Sequence, residues 1–303
     1  MSNEHYLRGR EVVGPCELLR AVEQDTWARI GFTRETPGLR IMETTITQNI
    51  VYELRLLKHR FGHIGYTLFE SRNEKANGHD LLLRILSSKN EVYTYALQAK
   101  IIYHNLGDVK KGTHLDDGTY PQFKHMVGKG PEADSQVNIL LDYAKKRGYI
   151  PMYLMYNYVR KKRPKSKGLG CTVVGAQKMK DRFPDTSGKD LSDKVRYSQL
   201  HFKHAFPLSD LACIFSGLDD ELILEASGLP PDYALTKAPR SALRIDEEWL
   251  KMEDENRVME FIQPRPLSTN RQGSNELNDT VAIPSSGFNP RFHLELDLRN
   301  RHY

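Results

Sequence analysis

Gly78-His79-Asp80 and Gln98-Ala99-Lys100 stand on either side of an apolar hairpin, and between them they supply a carboxylate, a carboxamide and an amine. Side chains two apart on a strand share a face, so Gln98 and Lys100 project together while Leu97 and Ala99 turn to the other side. Asp80, at the start of the preceding strand, meets them across the hairpin. Such a group suits phosphodiester hydrolysis. Asp80 and the Gln98 carbonyl oxygen are hard ligands of the kind Mg²⁺ accepts, an ion that takes few protein ligands and keeps several waters. The ion would polarise the phosphoryl group and lower the pKa of a bound water. Lys100 could orient that water or offset charge growing on phosphorus.

The elements that must position these residues are legible. Thr45 with Gln48 fits a capping box, and Ile46, Ile50, Leu54 and Leu57 form an apolar helical stripe ending near Gly62. Strands are expected at 64–69, at 81–86 and from Val92 through Lys100, separated by polar turns. A polar stretch, 105–130, reads as a long loop. Asp134 or Ser135 can cap a helix through Val137, Leu140, Leu141 and Ala144 that Gly148 ends, and a strand at 150–156 follows. Helix, three strands, helix, strand is an α/β pattern around one mixed sheet.

Around this core, 1–40 reads as a helical lead-in, 41–160 as the core itself and 161–262 as a mainly helical accessory region. Within the last, helical pieces fall at 175–183, 208–216, 219–226 and 246–261. Residues 263–303 read as an extended arm rich in Pro, Ser, Asn and Gly. The arm closes on 292–298, where Phe292, Leu294, Leu296 and Leu298 alternate with polar residues as in a strand. That strand can complete its own sheet or add to a neighbour's edge.

Asp80…Gln98-x-Lys100 between strands, with a helix before and an α–β pair after, resembles the PD-(D/E)XK restriction-endonuclease-like nuclease superfamily. The nearest variety is its Mrr-like branch, where Gln-x-Lys replaces the acidic residue before x-Lys. The run Glu43 to Thr47, with Gln136 and Met152 to Asn157, is also similar to a group of uncharacterised bacterial proteins thought to share this core. The resemblance covers about residues 41 to 158. It implies an α/β fold with a restriction-endonuclease-like core (helix, three-stranded hairpin sheet, helix, strand) and a mainly helical C-terminal extension. It also implies in-line attack by a metal-activated water, leaving a 5′-phosphate. Catalytic roles fall on Asp80, Gln98, Lys100 and Glu53, and metal-ligand roles on Asp80, Gln98 and Glu53. Because Gln98 is neutral, the site would hold a divalent ion more weakly unless another carboxylate helps. Glu53 takes that place, with Glu70, Glu74 and Glu43 as alternatives, although Glu43 also suits a helix N-terminus electrostatically. Gln136 would touch a phosphate or the attacking water.

The charge balance points to the same partner. The net charge of +5 is a sum of +9 over residues 1–170 and −4 over the rest. Arg160, Lys161, Lys162, Arg163, Lys165 and Lys167 form the densest basic run, able to track a phosphate backbone or to stand as a solvated loop. Tyr153, Tyr156 and Tyr158 can stack on bases or pack across strands. His79 can assist a leaving group or simply be exposed. No HExxH, GxxxxGK[ST] or GxSxG occurs, which argues against a zinc hydrolase, a P-loop NTPase and a serine hydrolase.

Three scattered cysteines, Cys16, Cys171 and Cys213, make a disulfide scaffold an unexpected outcome and a reducing cytoplasm the default. The polar start shows no signal core, and no apolar run approaches a membrane span. The expected protein is a Mg²⁺-dependent (or Mn²⁺-dependent) endonuclease acting on DNA, with RNA not excluded, in bacterial restriction or antiphage defence. A two-fold dimer would suit duplex cleavage, and a defence-system protein is the other candidate partner. The alternative is a non-catalytic nucleic-acid-binding or regulatory protein on a decayed nuclease fold.

Overall fold

The computed structural model describes residues 15–239 except 62–65, 71–77, 105–116, 124, 128–133, 161–169, 189 and 202. The expected helix at 246–261, the strand at 292–298 and the basic run beyond Arg160 lie outside the described residues. Two helices lead: α1 (Pro15–Glu35) and α2 (Glu43–Phe61). The stripe Ile46, Ile50 and Leu54 is buried as the spacing requires. The helix starts at Glu43, two residues before the expected Thr45 cap, and Thr45 lies exposed in its first turn.

Strands β1 (Tyr66–Glu70), β2 (Leu81–Leu86) and β3 (Glu91–Ile101) follow as an antiparallel meander. β2 alternates buried and half-buried residues, as a strand with one covered face should. β3 is buried along nearly its whole length, the mark of a central strand. Short pieces β4 (Thr119–Tyr120), β5 (Met126–Val127) and β6 (Asp134–Ser135) fall within or beside the stretch expected as loop. Helix α3 (Gln136–Arg147) ends as foreseen at Gly148, whose left-handed backbone lets its N–H meet the last carbonyls. Ser135 stands at its N-terminus without a side-chain cap; the Gln136 N–H instead donates to the His125 carbonyl at 2.9 Å.

β7 (Ile150–Asn157) runs parallel to β3, with Gln98 opposite Tyr153 and Lys100 opposite Met155. The sheet does not stop near residue 160. β8 (Gly170–Gly175) pairs antiparallel with β7. Beyond it come α4 (Ala176–Arg182), β9 (Val195–Arg196), α5 (Tyr197–Leu200), β10 (Phe206–Pro207) and α6 (Asp210–Cys213). Helix α7 (Asp220–Ser227) and β11 (Ala238–Pro239) end the described chain. The main sheet runs β1-β2-β3-β7-β8-β10, and β11 adds to β3. The architecture is mixed α/β. No helix among the described residues is long and apolar enough to cross a membrane.

Alternation along the strands assigns the faces. Tyr156 and Cys171 point to the side carrying α1 and α2, where they meet Thr47 and Thr26. Lys100 points to the opposite side, where it meets α3.

One expectation fails at the α1–α6 junction. Cys16 and Cys213 are joined as a disulfide across a separation of 197 residues, their Cα atoms 4.9 Å apart. The cysteines are distant in sequence, but β8 and β10 bring the α6 segment back beside α1. Such a bond is uncommon in a reducing cytoplasm.

At the same junction Glu23 is buried, and its Oε1 accepts the Ser209 N–H at 2.6 Å. Burial raises its pKa from 4.5 to about 7, with Asp210 adding to the rise and Ser209 and Arg20 opposing it. The folded state then holds a proton on Glu23 that the unfolded chain has already released, so this group costs stability as the pH climbs from about 4.5 to about 7. Glu23→Gln keeps an oxygen for Ser209 and removes the titration. Relative to wild type, the variant should gain on the order of 2 kcal/mol between pH 5 and pH 8 in urea denaturation. An unchanged difference across that range would refute the assignment.

Candidate functional site

β2 and β3 part at Asp80. The last backbone bond between them is the Asp80 N–H to the Leu97 carbonyl, 2.9 Å. Beyond that point β3 still presents N–H groups on its β2 side with no strand among the described residues to receive them, and a buried N–H needs a partner. Two carboxylates take the strand's place. Asp80 Oδ2 accepts the Ala99 N–H at 2.6 Å, and Glu43 Oε2 accepts the Ile101 N–H at 2.9 Å. N–H groups two residues apart on one strand lie about 7 Å from each other, so the two carboxylates flank a gap of that order.

Gln98 and Lys100 sit within this frame. Gln98 Nε2 donates to Asp80 Oδ2 at 2.6 Å. The Gln98 side chain is 1% exposed, and its Oε1 is buried without a hydrogen-bond partner among the described residues. Lys100, 6% exposed, donates from Nζ to Gln136 Oε1 at 3.3 Å, so the first residue of α3 meets the end of β3. Of the residues singled out in the sequence, Asp80, Gln98, Lys100 and Gln136 come together.

The helix-borne carboxylate at this place is Glu43. Glu53 lies ten residues further along α2, about 15 Å down the helix axis, and its side chain is outside the described residues, as are those of Glu70 and Glu74. Glu43 had a simpler account as a helix N-terminal acid, and the spacing alone could not reveal that the helix start is aimed at β3.

Thr47 and Tyr156, for which the sequence suggested no such joint role, hold that start in place. Thr47 Oγ1 bonds the Glu43 carbonyl at 3.0 Å and lies 2.9 Å from the Tyr156 hydroxyl. Burial first of all, with Asp80 and Glu43 adding to it, pushes the Tyr156 pKa well above its ordinary value, while Thr47 opposes the rise. The phenol stays neutral and able to donate. Tyr153, Tyr156 and Tyr158 are all buried, so none of them is available to stack on a base. Their packing explains this: Tyr153 meets Phe123 edge-on with ring centroids 5.1 Å apart, and Tyr158 lies 5.0 Å from Trp27.

His79 is likewise not exposed. It is 2% accessible, its ring 4.9 Å from that of Tyr143 on α3, and burial, with the Arg147 charge adding to it, lowers its pKa to about 4. It is neutral at physiological pH and packs the Asp80 turn onto α3. Arg160 is exposed at the end of β7, and Lys161, Lys162, Arg163, Lys165 and Lys167 lie outside the described residues.

The end of β3 thus carries two carboxylates and a buried carboxamide. Among the described residues, no group of three or more His, Cys, Asp or Glu side chains is placed to hold a metal ion. Asp80, Glu43 and Gln98 offer oxygen atoms alone, the kind of donor that hard cations take. The lone Gln98 Oε1 fits such a cation, since a buried acceptor without a partner costs about 1–3 kcal/mol.

Gly78 couples the site to α3. Its φ is +68°, and a Cβ there would stand 2.6 Å from the Leu140 nitrogen and 3.0 Å from the Gln136 carbonyl oxygen. Only glycine lets the Asp80 turn approach the helix that carries Gln136. Gly78→Ala should lose at least about 2 kcal/mol of stability in chemical denaturation, from the strained backbone and the clash together. A variant as stable as wild type would show that the turn does not press on the helix.

No curated protein matches the chain significantly. A family model does match, over residues 15–281, which takes in every element described above. The chain belongs to the family of unknown function DUF6615.

Proposed function

We propose that the protein is a Mg²⁺-dependent nuclease that hydrolyses phosphodiester bonds of DNA, built on a restriction-endonuclease-like core. The observation that carries this reading is the meeting of Asp80, Gln98 and Lys100 at the parting of β2 and β3, with Glu43 completing the acidic pair. The element order around them (helix, three antiparallel strands, helix, parallel strand) supports it as well. A role in bacterial restriction or antiphage defence follows from the resemblance alone.

Asp80, Glu43 and the Gln98 Oε1 would hold the ion, which when bound makes water more acidic and draws electron density from the phosphoryl group. The remaining work belongs to the chain. Lys100 is a buried ammonium that can neutralise charge on the phosphate as it becomes five-coordinate. Gln136 holds that ammonium against the sheet. The Ala99 and Ile101 N–H groups fix one oxygen of each carboxylate, which sets the orientation of the other.

Purified protein should cut plasmid or linear DNA in Mg²⁺ and not in EDTA. Asp80→Ala and Lys100→Ala should each lower the rate at least a hundredfold with unchanged circular dichroism. Cutting at the wild-type rate by either variant would remove the proposal. Single-stranded DNA and RNA in the same assay identify the substrate.

A second reading has its own support. Asp80 and Glu43 already serve the N–H groups of β3, so they have a structural task without any ion. On that account the protein is a non-catalytic nucleic-acid-binding protein on a decayed site. Calorimetric titration with Mn²⁺ separates the two: heat that disappears in Asp80→Asn supports the nuclease, and no heat in the wild type supports the decayed site.

A further inference from the structure

Just past the Glu43 contact, where β3 and β7 end side by side, the chain sets Tyr103 on the surface. The residue is 43% exposed, yet its backbone is held by a reciprocal pair of hydrogen bonds with Thr119, 2.8 Å each way. The Arg34 guanidinium lies over the ring, 5.4 Å from its centroid, and donates from Nη2 to the Ile102 carbonyl at 3.1 Å. The exposed Arg40 is close enough to add to the effect of burial in lowering the Arg34 pKa. Met42, exposed, stands beside Glu43 in sequence.

On the neighbouring strand end, His104 Nε2 is 3.0 Å from the Tyr158 carbonyl oxygen, and two residues later comes the exposed Arg160. Glu35, an acid on this side, accepts the Tyr158 hydroxyl. Tyr153, Tyr156 and Tyr158 are buried, whereas Tyr103 is exposed, with its backbone held by Thr119 and one guanidinium over its ring.

A partly exposed aromatic ring beside guanidinium groups suits a nucleobase with its phosphates. The ring offers a stacking face and the cations meet the backbone, independently of sequence. A duplex keeps its bases stacked inside, so the ring can engage only an unpaired base. We infer that Tyr103, with Arg34 and Arg40, forms a stacking platform for single-stranded nucleic acid just past the end of β3, on the side of the sheet that carries α1. The passage of the strand from platform to scissile site rests on the nuclease reading; the binding does not.

Fluorescence anisotropy in EDTA, with a labelled oligothymidylate and a labelled duplex as probes, tests the platform. Tyr103→Ala should weaken binding of the single strand about tenfold, the loss of one stacked base. Tyr103→Phe should restore it, and duplex binding should be the same in all three proteins. Arg40→Ala should weaken single-strand binding and reduce its salt slope by about one phosphate contact. Absence of wild-type binding to the single strand, an unchanged Tyr103→Ala affinity, or an equal loss on the duplex would overturn the inference. Because EDTA stops hydrolysis, the two proposals fail separately. A platform that behaves as expected in a protein that never cuts sinks the nuclease alone, and cutting with no effect of Tyr103→Ala sinks the platform alone.

Discussion

A β-strand that outlasts its neighbour leaves backbone donors with nothing to bond, and the centre of this molecule is organised around that shortage. β3 continues past the end of β2, and the N–H groups of Ala99 and Ile101 are met by Asp80 from one element and Glu43 from another. The acids are thus recruited by an unmet hydrogen-bond demand of the strand. Their convergence at the Lys100 end of β3 follows from backbone geometry, before any ligand is considered. The cost of gathering two carboxylates is offset by donors that the strand supplies in any case.

The same demand explains the surrounding detail. Asp80 can reach the strand only if its turn sits tightly on α3, and Gly78 permits that approach. Glu43 can reach it only if α2 begins where it does, and the Thr47–Tyr156 contact ties that first turn to β7. Gln136 then faces Lys100 because α3 follows directly on the short β6 strand. Four residues from different elements meet through a handful of specific contacts, and the apolar core of β3 and β7 keeps the platform beneath them rigid.

Period and spacing made much of this readable in advance. The α2 stripe, the β2–β3 hairpin, the Gly148 stop and the clustering of Asp80, Gln98 and Lys100 follow from local rules of side-chain direction and capping, whereas Gln136 entered only through the family resemblance. What escaped was non-local. β8 carries a short apolar run, Cys171 to Val174, with no alternation to mark it, because both of its faces are covered. Glu43 looked like an ordinary helix N-terminal acid, since nothing in its neighbours tells which strand it will meet. The buried state of His79 and of the β7 tyrosines depends on α3 and on the loop around Phe123 folding back over them. The Cys16–Cys213 pairing needed the return path of the chain through β10, which no spacing encodes.

That sulfur bridge also changes what a broken backbone would mean. It closes nearly all of the sheet-forming chain into one covalent ring, from the first turn of α1 to the end of α6. A peptide bond hydrolysed anywhere within the ring would leave both fragments covalently attached until a reductant opened the bridge.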